Sequence, residues 1–142
     1  RGAEVSRSPA AILEECRKLT DAGALEITLL GQTVNHYVYE DPTPTISTST
    51  GPAKQRTTFA ELIQLLHDEL PSLPRLRVIT SFPADFGDDI LHVMAQSPRI
   101  CKYLHIPAQS GSDRLLKLMN RGYTAGSYLA LVERARRIVP RI

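Results

Sequence analysis

Short apolar runs of strand length alternate along this chain with segments whose apolar residues recur at three- and four-residue spacing. That alternation constrains the fold more than any other feature. The connections between successive runs are long enough for crossover helices, so the strands are expected to lie parallel in one sheet. The predicted order is helix, strand, helix, strand, helix, strand, helix, helix, and the fold class is α/β.

Local chemistry places the elements. Ser8-Pro9 should open the first helix, because the hydroxyl can accept a free backbone N–H and proline at the first helical position gives up a donor with no partner there. Ile12, Leu13, Cys16 and Leu19 form its apolar stripe, and Gly23 is its left-handed stop. Leu25 to Leu30 reads as a strand buried on both faces. From Glu40 to Thr57 the chain is rich in Pro, Thr, Ser and Gly and reads as a long flexible surface loop. Thr58-Phe59-Ala60-Glu61 has the spacing of a capping box. The helix that follows should run to about Leu70, with Phe59, Leu62, Ile63, Leu65 and Leu66 facing inward. Leu76 to Thr80 is the second predicted strand, stopped at Ser81-Phe82-Pro83. Asp88 or Asp89 is expected to cap a helix carrying Ile90, Leu91, Val93 and Met94, and Tyr103 to Ile106 reads as a third strand. Ser112-Asp113 opens a helix through Met119, and Thr124 caps the last one.

Composition sets the class of protein. With 142 residues, 42% of them hydrophobic and 23% charged, residues 1–142 are expected to form a single domain. No run approaches the roughly 18 apolar residues of a membrane span, and no signal-peptide pattern opens the chain, so a cytoplasmic location is expected. A net charge of +2 makes no case for a nucleic-acid partner. Arg134, Arg136, Arg137 and Arg141 crowd the C-terminal end, either as a solvated helix end that complements the helix dipole or as an RNA-binding face. Cys16 and Cys101 have no neighbouring cysteine, so neither a zinc ribbon nor a cluster motif can be written from them; they read as reduced packing thiols. The chain starts without Met and closes on a helix end, and both termini read as cut edges of a longer polypeptide.

The unusual polar residues fall after the strands. Gly31 to Asn35, Ser81 to Asp85 and Pro107 to Asp113 leave strand C-terminal ends, where the functional loops of parallel α/β barrels lie, and are expected to line one small-molecule pocket. Gln109, Ser110, Ser112 and Asp113 fit either that pocket or a plain helix cap. Arg121 fits either a clamp on a carboxylate near Gln109 or an ion pair with a surface acid. His36, His67, His92 and His105 share no ligand spacing, and no catalytic histidine, phosphate loop or zinc motif is present.

Five segments in order carry a family resemblance. They are Arg1-Gly2 with Glu4-Val5-Ser6-Arg7; Leu29-Leu30-Gly31-Gln32-Thr33-Val34-Asn35; Thr80-Ser81-Phe82-Pro83-Ala84-Asp85-Phe86; His105 to Asp113; and Met119-Asn120-Arg121-Gly122-Tyr123-Thr124. Together they resemble the central radical S-adenosylmethionine domain of the tRNA methylthiotransferases. The G-Q-x-V-N form points to the branch that makes 2-methylthio-N6-isopentenyladenosine. The resemblance implies a fragment of a partial TIM-like (radical SAM) barrel. It implies S-adenosylmethionine and [4Fe-4S] clusters as cofactors, tRNA as partner, and insertion of a methylthio group at C2 of (N6-isopentenyl)adenosine.

By position, Gly31 and Gln32 match the loop whose backbone meets the methionine amino group, and Ser81 matches a strand-end position near the same ligand. Gln109 and Arg121 match a pair that contacts ribose and carboxylate, with Ser110 beside Gln109 in the loop. The family's C-x3-C-x2-C motif falls before the position of Arg1, and without three thiolates no such cluster assembles. This stretch alone is therefore expected to bind no cluster and to be inactive. With unpaired strand edges and apolar helix faces, it is also expected either to self-associate or to be only marginally stable. Two other readings stay open: a piece of another α/β-barrel enzyme, for which no basic or metal-binding constellation is evident, and a non-catalytic RNA-binding module.

Overall fold

The computed structural model describes residues 5–41, 56–79 and 81–142. Helix α1 (Pro9–Asp21) begins as the sequence predicts, with the Ser8 hydroxyl accepting from the Ala11 amide at 3.2 Å. It is closed off by Gly23 at φ +93°, a conformation that costs other residues a Cβ clash. Strand β1 (Glu26–Leu30) follows, then a 3-10 turn (Val34–His36), β2 (Val38–Glu40) and β3 (Arg56–Thr58). Helix α2 (Phe59–Glu69) opens with the predicted capping box between Thr58 and Glu61. Strand β4 (Arg75–Ile79), a 3-10 turn (Pro83–Asp85), α3 (Asp88–Gln96), α4 (Asp113–Leu118) and α5 (Ala125–Ile138) complete the described order.

β1 and β4 pair in parallel, in register from Glu26 opposite Arg75 to Leu30 opposite Ile79, as the alternation requires. One contiguous core joins both strands to α2, α3 and α5, with Ile63, Leu66, Leu76, Leu91, Met94 and Ile100 almost fully shielded. Each such aliphatic side chain contributes roughly 1.5–3 kcal/mol by leaving water. Among the described residues no helix is long and apolar enough to cross a membrane.

Several expectations need correction. Tyr103 to Ile106 does not form a regular strand. The chain runs beside β4, with the Leu76 amide donating to Arg99 O at 2.8 Å, the Cys101 amide to Leu76 O at 2.9 Å, and then the Ser81 amide to His105 O at 3.1 Å. In between, Lys102 turns back so that its ammonium caps Met94 O and Ser97 O at the end of α3, which draws the backbone off the ladder. β1 is not buried on both faces: only Ile27 is buried, and Leu25 and Leu30 are exposed, because the outer edge of β1 meets no strand among the described residues. The cap of α3 is Gly87 rather than Asp88 or Asp89, with no side-chain cap bond. The extended backbone of Gly87 moves the start of the helix, and a Cβ there would lie 2.2 Å from Asp89 Oδ1. Of the segment read as a flexible loop, Glu40, Arg56 and Thr57 belong to the antiparallel β2–β3 ladder, and residues 42–55 lie outside the described residues. Thr80 and residues 1–4 do so as well.

Candidate functional site at the strand-end rim

Parallel pairing puts the exits of β1 and β4 at the same end of the sheet, and hydrogen bonds then join their loops. After β1 the chain turns at Gly31, where a Cβ would come within 3.1 Å of the buried Val34 side chain. Val34 anchors the 3-10 turn in the core, which fixes its neighbour Asn35. The Asn35 amide reaches the loop after β4: its Oδ1 accepts from the Phe82 amide at 2.8 Å, and its Nδ2 donates to Phe82 O at 3.2 Å. His36 Nε2 lies 2.8 Å from Asp85 Oδ2 in that same loop. The third loop is tied in by the Ser81 amide on His105 O, by Tyr128 Oη donating to Ile106 O at 2.8 Å, and by Tyr123 Oη on the carbonyls of Pro107 and Ala108. The Phe82 ring lies edge-on to both His36 and Tyr123, with centroids 5.8 and 5.7 Å away.

The residues predicted to form a site do not share one cavity. Gly31 and Gln32 line an open cavity of about 760 Å³ that extends from the rim along β1 and is also lined by α1 and the Ser6-Arg7 segment. That volume is within the range of small-molecule pockets. Ser81 is buried beneath the rim. Gln109 stands exposed at φ +62°, the left-handed region. Ser110 Oγ accepts from the Ser112 amide at 3.1 Å, so it shapes its own loop. Asp113 caps a different helix from the one it opens, because its Oδ1 accepts from the Ala125 amide of α5 at 2.8 Å. Arg121 follows Asn120, itself at φ +54°, and its guanidinium has no hydrogen-bond or ion-pair partner among the described residues. Ser81, Gln109, Ser110 and Arg121 are not part of the cavity lining.

Reading the sequence missed the residues that hold the rim together. Asn35 and Tyr123 stand out in the sequence only as members of motifs, and Tyr128 only as one of the apolar positions of the last helix. Their partners are carbonyls and amides far away in sequence, which no local pattern reports.

Two groups beside the cavity have shifted titration. Burial pushes the Tyr37 phenol up to about 12, with the Tyr39 phenol adding to the effect, and its hydroxyl donates to Arg7 O at 2.7 Å. Burial likewise raises the Cys16 thiol, with Glu15 adding to the rise, so Cys16 is a neutral packing group rather than a nucleophile. Among the described residues no cluster of His, Cys, Asp or Glu is arranged to hold a metal ion.

A family model described as the radical SAM superfamily matches residues 1–142. Over 140 residues, 99% of this chain, the sequence is 45% identical to a tRNA-2-methylthio-N(6)-dimethylallyladenosine synthase of Mycobacterium ulcerans (strain Agy99), covering 25% of that protein. The same figures hold for a synthase 2 of that name from Mycobacterium marinum (strain ATCC BAA-535 / M). A synthase from Mycobacterium sp. (strain JLS) is 42% identical over 149 residues, 99% of this chain and 28% of its own length. The chain thus spans about a quarter of the length of the curated relatives it matches.

Proposed function

The chain belongs to the radical SAM superfamily, and from that premise we propose that it is the S-adenosylmethionine-binding part of a cytoplasmic enzyme that adds a methylthio group to C2 of N6-isopentenyladenosine in tRNA. The observation that carries this reading is the gathering of the loops after β1 and β4 with the 105–113 segment on one rim, in a chain 45% identical to synthases of that name.

The donor set at the rim suits adenosylmethionine. Arg121 offers a guanidinium without a competing partner among the described residues, which matches a carboxylate that must be held while the sulfonium is presented for cleavage. The backbone at Gly31 and Gln32 would accept the amino group, Gln109 and Ser110 would meet the ribose, and buried Ser81 would close the floor. The four-iron, four-sulfur cluster fits these residues poorly. Three thiolates are needed, whereas the chain has two cysteines, with Cys16 packed in α1 and Cys101 beside β4. When bound, the cofactors supply the radical chemistry, and this polypeptide binds, orients and shields adenosylmethionine.

The test uses the complete polypeptide that carries these residues, reconstituted anaerobically with iron and sulfide and given adenosylmethionine, a reductant and isopentenylated tRNA. The expected products are 5'-deoxyadenosine and a methylthiolated nucleoside, detected by mass spectrometry. A competent cluster that cleaves adenosylmethionine yet leaves the tRNA unchanged would refute the assigned substrate.

A further inference from the structure

We infer that Asn35 is a positioning residue for the adenosylmethionine site and acts through Phe82; this rests on the reading above that the rim holds that ligand. The primary amide of Asn35 matches both polar groups of Phe82, accepting from its N–H at 2.8 Å and donating to its carbonyl at 3.2 Å. This reciprocal pair is what two residues exchange across a sheet, made here by one side chain. Few side chains can do it. A carboxylate offers no donor, glutamine is one methylene too long, and alanine offers nothing.

Phe82 is the residue through which all three rim segments meet. Its backbone is gripped from the first loop by Asn35, and its ring is held edge-on between His36 and Tyr123. Tyr123 in turn fastens Pro107 and Ala108, immediately before Gln109. Ser81, immediately before Phe82, gives its amide to His105. Nothing in this arrangement requires Asn35 to touch the ligand. Its effect is to hold Ser81 and, through Tyr123, Gln109 in place relative to Gly31 and Gln32. Losing a sub-ångström placement of several ligand contacts at once weakens binding more than losing one contact.

The experiment measures adenosylmethionine affinity by equilibrium dialysis on the complete, cluster-loaded polypeptide, with thermal unfolding followed in parallel. Asn35→Ala is expected to bind at least about tenfold more weakly. Asn35→Asp supplies a signature that fold stabilisation alone would not give. At pH 8 its carboxylate keeps an acceptor for the Phe82 N–H but has no donor for the Phe82 carbonyl, so affinity should fall several-fold while the unfolding temperature stays near that of the parent. Arg121→Ala serves as the reference for the rim itself. If Asn35→Ala binds like the parent while Arg121→Ala is weakened, the positioning role is overturned and the rim assignment stands. If both bind like the parent, the rim assignment falls and takes the positioning role with it. If Asn35→Ala fails to fold, Asn35→Asp decides alone, and an affinity equal to that of the parent overturns the role.

Discussion

Near the amino-terminal ends of β1 and β4 the structure is fastened by cations, whereas at the carboxy-terminal rim neutral amides and phenols join the loops, beside the His36–Asp85 pair and Arg134, which pairs with Asp88 and donates to Phe86 O. The Arg99 guanidinium donates to the carbonyls of His67, Leu70 and Leu73 where α2 ends, and Lys102 caps the end of α3. Arg75 and Arg77 both pair with Glu26, and the hydrogen bonds from Arg77 hold the Glu26 carboxyl below its usual range. The rim uses Asn35, Tyr123 and Tyr128 instead. Helix C-termini carry partial negative charge, so a cation placed there is spent on structure. Neutral donors join the three loops to one another there, and Arg121, without a partner among the described residues, is left for a charged ligand.

Exchanging the roles of two arginines is the most severe test of that contrast. Arg99→Ala should lower unfolding free energy by about 1–3 kcal/mol, since part-buried carbonyls at the end of α2 lose their donor. Arg121→Ala should change it by no more than about 0.5 kcal/mol. Chemical denaturation of the two variants reads both values. A destabilised Arg121→Ala beside an unaffected Arg99→Ala would reverse the comparison.

The helix starts and the bonds that hold the rim were not equally legible in the sequence. Helix starts at Ser8, Thr58 and Thr124 were readable because capping is settled within one turn, although Thr124 finds its reciprocal partner in Ser127 rather than in an acid. The parallel pairing of β1 with β4 follows from connection length and was equally readable. The irregular path of residues 102–106 was not, because it depends on where the Lys102 ammonium finds carbonyls. The β2–β3 ladder was hidden for a similar reason, since its strands are three residues each and joined by a connection with no turn signal that fixes their register. At the site, the loops themselves could be listed in order, but the bonds that join them run side chain to backbone across long separations. Asn35 and Phe82 are 47 positions apart.

Tyr123→Phe sharpens the comparison from the rim side. The ring is buried and its packing against Phe82 and Tyr128 is retained, so the loss is confined to the hydroxyl shared by Pro107 O at 3.3 Å and Ala108 O at 3.1 Å. About 1 kcal/mol of stability should go with it. Faster amide exchange should appear locally in residues 108–111 rather than across the core. Exchange that accelerates equally in α2 and α3 would mean that the rim is no separate fastening.

The smallest expected effect comes from pH, where the two kinds of fastening should part. Arginine keeps its proton throughout the alkaline range, but a phenol does not. Tyr37 ties the lead-in to α1 onto the rim, and burial raises its phenol from 10.0 to about 12 in the folded chain. A raised folded value means that the folded state holds the proton more tightly, so this stabilisation is complete below pH 10 and is lost as pH climbs through about 12. Tyr37→Phe should therefore be somewhat less stable than the parent at pH 8, through loss of the bond to Arg7 O, and should lose less of its Tm between pH 10 and pH 12. Lys102, which burial pushes down, and Cys16, which burial pushes up, also titrate on the alkaline side, but they are common to both proteins and cancel in the difference. Parallel Tm curves for parent and variant over that window would show that the neutral phenol contributes nothing to holding the rim.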